Sequence, residues 1–212
     1  MGQKVNPVSF RLREHNLWQS RWFNKKDYGK LCVEDFEIRN MIEKKYSPHA
    51  GIASIEIERN RKDSVIIINT SRPGVLIGRG GAGINQIKEI LTKKFNHPFK
   101  IEVKEIKKPD LVAKLVAENI SSQIVKRINF RKASKSALEK TMQAGATGIK
   151  INISGRLNGA EIARTEKFTL GNVSLSTIKN YIDYQLIHTN TVYGVVGVKV
   201  WINLGEQDNA NS

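Results

Sequence analysis

The spacing of apolar positions changes several times along the chain, and each change marks an element. From Asp27 to Tyr46, residues Tyr28, Leu31, Cys32, Phe36, Ile38, Met41 and Ile42 approximate one face of a helix, and Ser47-Pro48-His49-Ala50-Gly51 ends it. Ile55-Glu56-Ile57-Glu58 then alternates, Arg59–Asp63 supplies a turn, and Val65–Asn69 is a second strand, so a hairpin follows. Beyond a glycine-rich run, Ile84, Ile87, Leu91 and Phe95 return to helical spacing until Asn96-His97-Pro98 stops them. Phe99-Lys100-Ile101-Glu102-Val103 is a third strand. The order is helix, two strands, a glycine-hinged helix pair, strand.

Lys107-Lys108-Pro109-Asp110 marks a boundary, with Pro109 and Asp110 suited to the first turn of a helix. Leu111, Val112, Leu115, Val116, Ile120, Ile124 and Ile128 carry an apolar stripe to about Asn129. A second helix runs from near Lys132 to Ala144, closed by Gly145. Ile149–Ile153 and Val198–Ile202 alternate, Asn158-Gly159 is a hairpin signal, and Ala160–Thr169 and Ile182–Tyr193 complete a sheet of roughly four strands. The predicted class is α+β in two domains, the second being two helices on a mixed or antiparallel sheet. The organisation is an arm at 1–16, a domain at 17–108, a domain at 109–205 and a polar tail at 206–212. The arm mixes Lys4, Pro7, Arg11, Arg13 and His15 without periodicity, which predicts an extended segment ordered on a partner. Trp18, Trp22 and Phe23 interleave with Arg21, Lys25 and Lys26, a pattern that can stack bases, but tryptophans beside the first helix read first as core anchors. Cys32 reads as a buried thiol.

Charge narrows the function. Thirty-five Lys and Arg face 20 Asp and Glu, a net charge of +15, and such a field attracts polyanions. One cysteine excludes an intrachain disulfide and fits a cytoplasmic setting. The first residues form no signal core, and apolar runs such as Val65–Ile68 have strand length, so no membrane partner is expected. His15, His49, His97 and His188 are scattered without metal spacing. Asp183 and His188 read as turn or edge residues, and no G-x-S-x-G occurs. No catalytic residue, metal or cofactor is expected.

The sharpest motif is Gly74-Val75-Leu76-Ile77-Gly78-Arg79-Gly80-Gly81-Ala82-Gly83-Ile84. Its letters contain the dinucleotide fingerprint, but Thr70–Ile77, with Pro73, separate the glycines from a strand that belongs to a hairpin. A P-loop fails because Ile84-Asn85 follows Gly83, leaving no Lys or Ser/Thr for phosphate and metal. The narrower pattern is a G-x-x-G turn seated between Ile77 and Ile84. Gly78 and Gly81 let the backbone approach phosphates without a Cβ in the way, Gly80 lies between them, and Arg79 supplies charge. This turn resembles the RNA-binding loop of KH domains, and the element order resembles their type II form.

The resemblance then narrows. Met1–Pro7, Arg72-Pro73-Gly74, Ser154–Glu166 and Tyr193–Ile202 resemble, in order and without large gaps to about Gly205, the family of bacterial-type third proteins of the small ribosomal subunit. Asn6 and Ser9 depart from its usual histidine and glycine. The resemblance implies a structural, non-enzymatic constituent of cytoplasmic ribosomes. Its partners would be small-subunit ribosomal RNA, neighbouring proteins of the subunit head, and messenger RNA at the channel where the message enters and is unwound. It implies no homo-oligomer. Arg127, Lys132 and their neighbours match the family's basic channel stretch. Arg127, Arg131 and Lys135, spaced by four, predict one cationic helix stripe beside Lys132, which can hold strands by phosphate without reading bases. Ser136 follows where a further basic residue is frequent. Arg156, Arg164 and Lys167 around the Asn158-Gly159 turn, Arg72, and Lys4, Arg11 and Arg13 of the arm are the expected ribosomal RNA contacts, with Glu161 and Glu166 as alternative partners for the cations near the turn. A free KH-domain regulator of messages is the other reading. A single G-x-x-G beside an unrelated second domain favours fixed assembly.

Overall fold

The computed structural model describes residues 4–12, 17–60, 63–95 and 97–206, with 47 and 48 as backbone only. Arg13, His15 and the tail beyond Glu206 lie outside the described residues. The chain divides into two compact units. One is Trp18–Lys107; the other joins Met1–Leu17 to Lys108–Ser212. No helix among the described residues is long and apolar enough to cross a membrane.

Two short elements come first, helix α1 (Pro7–Phe10) and strand β1 (Ser20–Arg21). The first unit continues with α2 (Tyr28–Ala50), β2 (Ile52–Arg59), β3 (Ser64–Thr70), α3 (Pro73–Ile77), α4 (Ala82–Phe95) and β4 (Phe99–Glu105). Its sheet runs β1-β2-β3-β4, with β2 and β3 an antiparallel hairpin and parallel pairings on either side. Ile38 and Ile42 of α2 and Leu76, Ile87 and Leu91 of the helix pair bury against Ile57, Ile66 and Ile68 of the sheet. The helix α2 passes the expected stop at Ser47-Pro48. The Thr70 hydroxyl donates to the Ala50 carbonyl at 2.6 Å, drawing the last turn into the core, and Gly51 ends it at φ 61°.

The apolar residues of α2 lie on two faces, and only one meets the sheet. Tyr28, Val33 and Phe36 are exposed, as is the Cys32 thiol expected inside. Trp18, expected as a core anchor, is 67% exposed, and Phe23 beside it is 81% exposed. Trp22 alone of that group is tied in. Its indole Nε1 donates to buried Asp35 at 2.7 Å, which also accepts from Ser20 (2.7 Å) and from both Nε and Nη2 of Arg59 (3.0 and 2.7 Å). That network fastens β1 to the sheet.

In the second unit a single turn at Pro109–Leu111 precedes α5 (Ala113–Val125) and α6 (Phe130–Gln143), followed by β5 (Gly148–Gly155), β6 (Arg164–Gly171), β7 (Asn180–Thr191) and β8 (Gly194–Glu206). The sheet is antiparallel throughout, in the order β6-β5-β8-β7. Helix α5 starts after Pro109 because Val112 is extended and Asp183 accepts the Ala113 N–H at 2.7 Å. Desolvation holds that carboxyl above the usual range despite its N–H partners. Ile149, Ile151 and Ile153 of β5 and Val198, Val200 and Ile202 of β8 pack with Val116, Ala117 and Ile120 of α5. The alternate residues, Lys150, Asn152, Lys199 and Trp201, therefore face away from the helices. By the same alternation Asp183 points to the helix side and His188 to the other, so the two form no relay.

The arm departs most from expectation. Asn6 caps α1 by accepting the Val8 N–H at 2.9 Å, and Pro7 is buried. Arg11 is fully buried. Its guanidinium donates to the carbonyls of Thr177 (2.7 Å), Asn180 (2.7 Å), Leu175 (2.9 Å) and Pro7 (3.2 Å). Ile182 faces away from the helices yet is fully buried, because α1 lies against β7. Residues 4–12 belong to the second unit and are no free extension.

Candidate nucleic-acid interface

The glycine loop is built from backbone. Helix α3 ends at Gly78 (φ 69°), Arg79 opens a short turn, Gly80 and Gly81 follow at φ 60° and 80°, and α4 begins at Ala82. All three glycines occupy a region that other L residues rarely enter. Their neighbours differ. A Cβ on Gly83 would lie 2.3 Å from the Leu76 carbonyl oxygen, so Gly83 sets the close crossing of the two helices. A Cβ on Gly80 or Gly81 would meet nothing within 4 Å. The loop thus presents bare main chain to open space, with Arg79 exposed at its tip and the start of α4 behind it, an arrangement that suits an approaching phosphate. Arg72, exposed at the start of α3, lies on the same unit.

In the second unit the expected stripe is partly redrawn. Arg127 sits at φ 60° in the connection between α5 and α6, off any helix, so it does not continue the row. Arg131, Lys132 and Lys135 are on α6 and exposed, while Ala133, Ser134, Ala137 and Leu138 form its buried side. Arg131 is engaged. Its Nε and Nη2 donate to the two carboxylate oxygens of Glu166 at 3.1 and 3.0 Å, which holds Glu166 below the usual carboxylate range. Arg164 also reaches Glu166, at 3.3 Å. Lys132 and Lys135 carry no such partner among the described residues.

The three cations expected around the Asn158-Gly159 turn are separated. That turn lies inside the connection 156–163, with Asn158 and Gly159 at φ 54° and 79°. Arg156 donates to the carbonyls of Ala160 (2.9 Å) and Tyr193 (3.2 Å) and stands at the end of the sheet. Arg164 and Glu166 project to the helix side, beside Arg131. Lys167 projects to the opposite face. There it and Lys4 act on Lys150, which partial burial chiefly, and then these two charges, hold below the usual ammonium range. Lys150 lies 5.5 Å from the Trp201 ring centroid, and Tyr184 packs on the same indole at 5.2 Å. Lys4 and Lys167 were expected as phosphate contacts and come together here, whereas Lys150 was missed. Its signal was available, as the polar position between Ile149 and Ile151. Arg11 cannot serve, since carbonyls occupy its donors and no surface of it reaches solvent. Arg13 lies outside the described residues.

A glycine-hinged helix pair on this strand order, its loop opening to free space, defines an RNA-binding protein of the KH class. A KH domain model matches residues 37–111, and the model for Ribosomal protein S3, C-terminal domain, matches 120–202. The chain is 49% identical to small ribosomal subunit protein uS3 of Thermosipho africanus, over 98% of this chain and 100% of that one. Identity to the protein of the same name is 48% in Lawsonia intracellularis, over 97% and 96%, and 48% in Lachnoclostridium phytofermentans, over 97% and 94%. The chain belongs to the uS3 family of small-ribosomal-subunit proteins, a structural and non-enzymatic family.

Proposed function

We propose that this protein anchors itself to ribosomal RNA of the small-subunit head through both units, and that the exposed face of α6 lines the channel by which messenger RNA enters. The observation that carries the second part is the placement of Lys132 and Lys135 on one exposed helix face, without an ion-pair partner among the described residues, with Arg131 held beside them by Glu166. Regularly spaced ammonium groups attract successive phosphates and read no base, which suits a path that every message must follow. A strand that has parted from its complement is held on these cations by its phosphates and kept from re-pairing, which is how this face would take part in unwinding. The glycine loop, Arg72, and the Lys4, Lys150 and Lys167 face are the ribosomal RNA contacts in this reading. Tyr28, Val33 and Phe36 offer neighbouring head proteins an apolar surface.

The test is translation by ribosomes that carry Arg131→Ala, Lys132→Ala and Lys135→Ala together. Subunits assemble normally, unstructured messages are read at the wild-type rate, and messages with stable hairpins in the coding region are read more slowly. Equal speed on both messages removes α6 from the channel.

A further inference from the structure

A cleft of about 500 Å³ opens at one end of the second unit, walled by the connection between α5 and α6, the 156–163 connection and the β7–β8 turn. Two independent observations meet in it. The only non-glycine residues at positive φ among the described residues, Arg127 at 60° and Asn158 at 54°, both line it. Such conformations cost free energy and persist where the surroundings hold them, commonly at binding sites. The wall chemistry is also mixed in a particular way. Buried Phe130, Leu157 and Val196 give an apolar floor, Tyr193 an aromatic side, and Arg127 and Arg156 a cationic rim.

The groups are held in place. The Tyr193 ring rests on Gly159, where a Cβ would approach it to 3.0 Å, so only glycine lets the ring lie there. Arg156 bridges two walls through its bonds to Ala160 and Tyr193. Neither Arg127 nor Arg156 pairs with a carboxylate among the described residues.

We infer that this cleft takes a single unstacked nucleotide of ribosomal RNA, with its base against Tyr193 and its phosphate between Arg127 and Arg156. An apolar floor with an aromatic side suits a base face, and two guanidinium groups on the rim suit a phosphate. A pocket that encloses one base cannot serve a strand that must slide through, so the occupant is ribosomal rather than messenger RNA. The inference rests on the reading that the second unit faces ribosomal RNA.

The experiment probes ribosomal RNA bases chemically in assembled small subunits that carry wild-type protein, Tyr193→Ala, Tyr193→Phe or Arg127→Asn. Asparagine tolerates the left-handed conformation, so the last variant removes charge without adding strain. One nucleotide protected in the wild type becomes roughly tenfold more reactive with Tyr193→Ala and Arg127→Asn, and keeps its protection with Tyr193→Phe. A photo-crosslinking side chain at exposed Val192 attaches to that same stretch of ribosomal RNA. The protection conferred by the whole second unit, read in the same lanes, tests the parent reading separately. If that protection is present but no single nucleotide responds, or if Val192 crosslinks to messenger RNA or to a protein, the cleft is not a nucleotide site.

Discussion

The two units offer RNA different kinds of candidate contact. The first offers main chain, in three glycines at positive φ with open space before two of them. The second offers side chains on regular elements, namely lysines and arginines on α6 and on the outer sheet face. A backbone site is defined by local sequence, because only glycine adopts the needed conformations at little cost. A side-chain site is defined by what else the fold brings near each charge. Arg131 has a free head group in sequence and a carboxylate partner in space; Arg11 looks like an RNA contact and is a buried pin.

This contrast explains what could be read from the chain alone. The helix–hairpin–helix–helix–strand order from Tyr28 to Glu105 and the glycine loop followed from periodicity and turn chemistry, while α1 and β1 did not. The alternation of β5 and β8 correctly marked their inner faces. What escaped depended on contacts distant in sequence. The start of α5 is set by Asp183, 70 residues away, and the fate of Arg11 by carbonyls up to 169 residues away. The break at Arg127 also escaped, since the apolar stripe runs through it to Ile128 and nothing local announces a left-handed residue.

The contrast can be broken hardest at Arg11. Arg11→Ala leaves one buried and three part-buried carbonyls without this donor, opens a void where the side chain was, and destabilises the second unit by on the order of 3 kcal/mol. Urea unfolding of the full chain shows the transition of the second unit moving to lower denaturant while that of the first stays in place. Movement of both, or of neither, contradicts the burial of Arg11 as a pin of one unit alone. The next effect is at the glycine loop. Gly81→Asp fits the open space and tolerates the left-handed conformation, so the fold survives while a negative charge meets the phosphate. Affinity for small-subunit ribosomal RNA falls by on the order of tenfold, measured by filter binding at constant salt. Unchanged affinity makes the loop a structural turn only.

The smallest effect carries the most information about the second unit. Glu166→Gln releases Arg131 and Arg164 and raises affinity for single-stranded RNA, by roughly two- to fivefold at low salt, the scale of an exposed ion pair. Lys132→Ala with Lys135→Ala acts in the other direction and flattens the dependence of log affinity on log salt by about 1.4, near 0.7 per lost phosphate contact. If Glu166→Gln weakens binding instead, the carboxylate is positioning Arg131 for phosphate rather than competing for it.

The bonds of Arg11 to residues 175–180 also set a timetable. The first unit is continuous from Trp18 to Lys107, has its own core, and can close while the remainder of the chain is still being synthesised. The second cannot. Its opening residues emerge early and wait for carbonyls 164 to 169 positions downstream, so its completion is among the last events of synthesis. A nascent chain stalled before β7 would hold a finished KH fold preceded by an unmated basic segment, ready for any polyanion at hand.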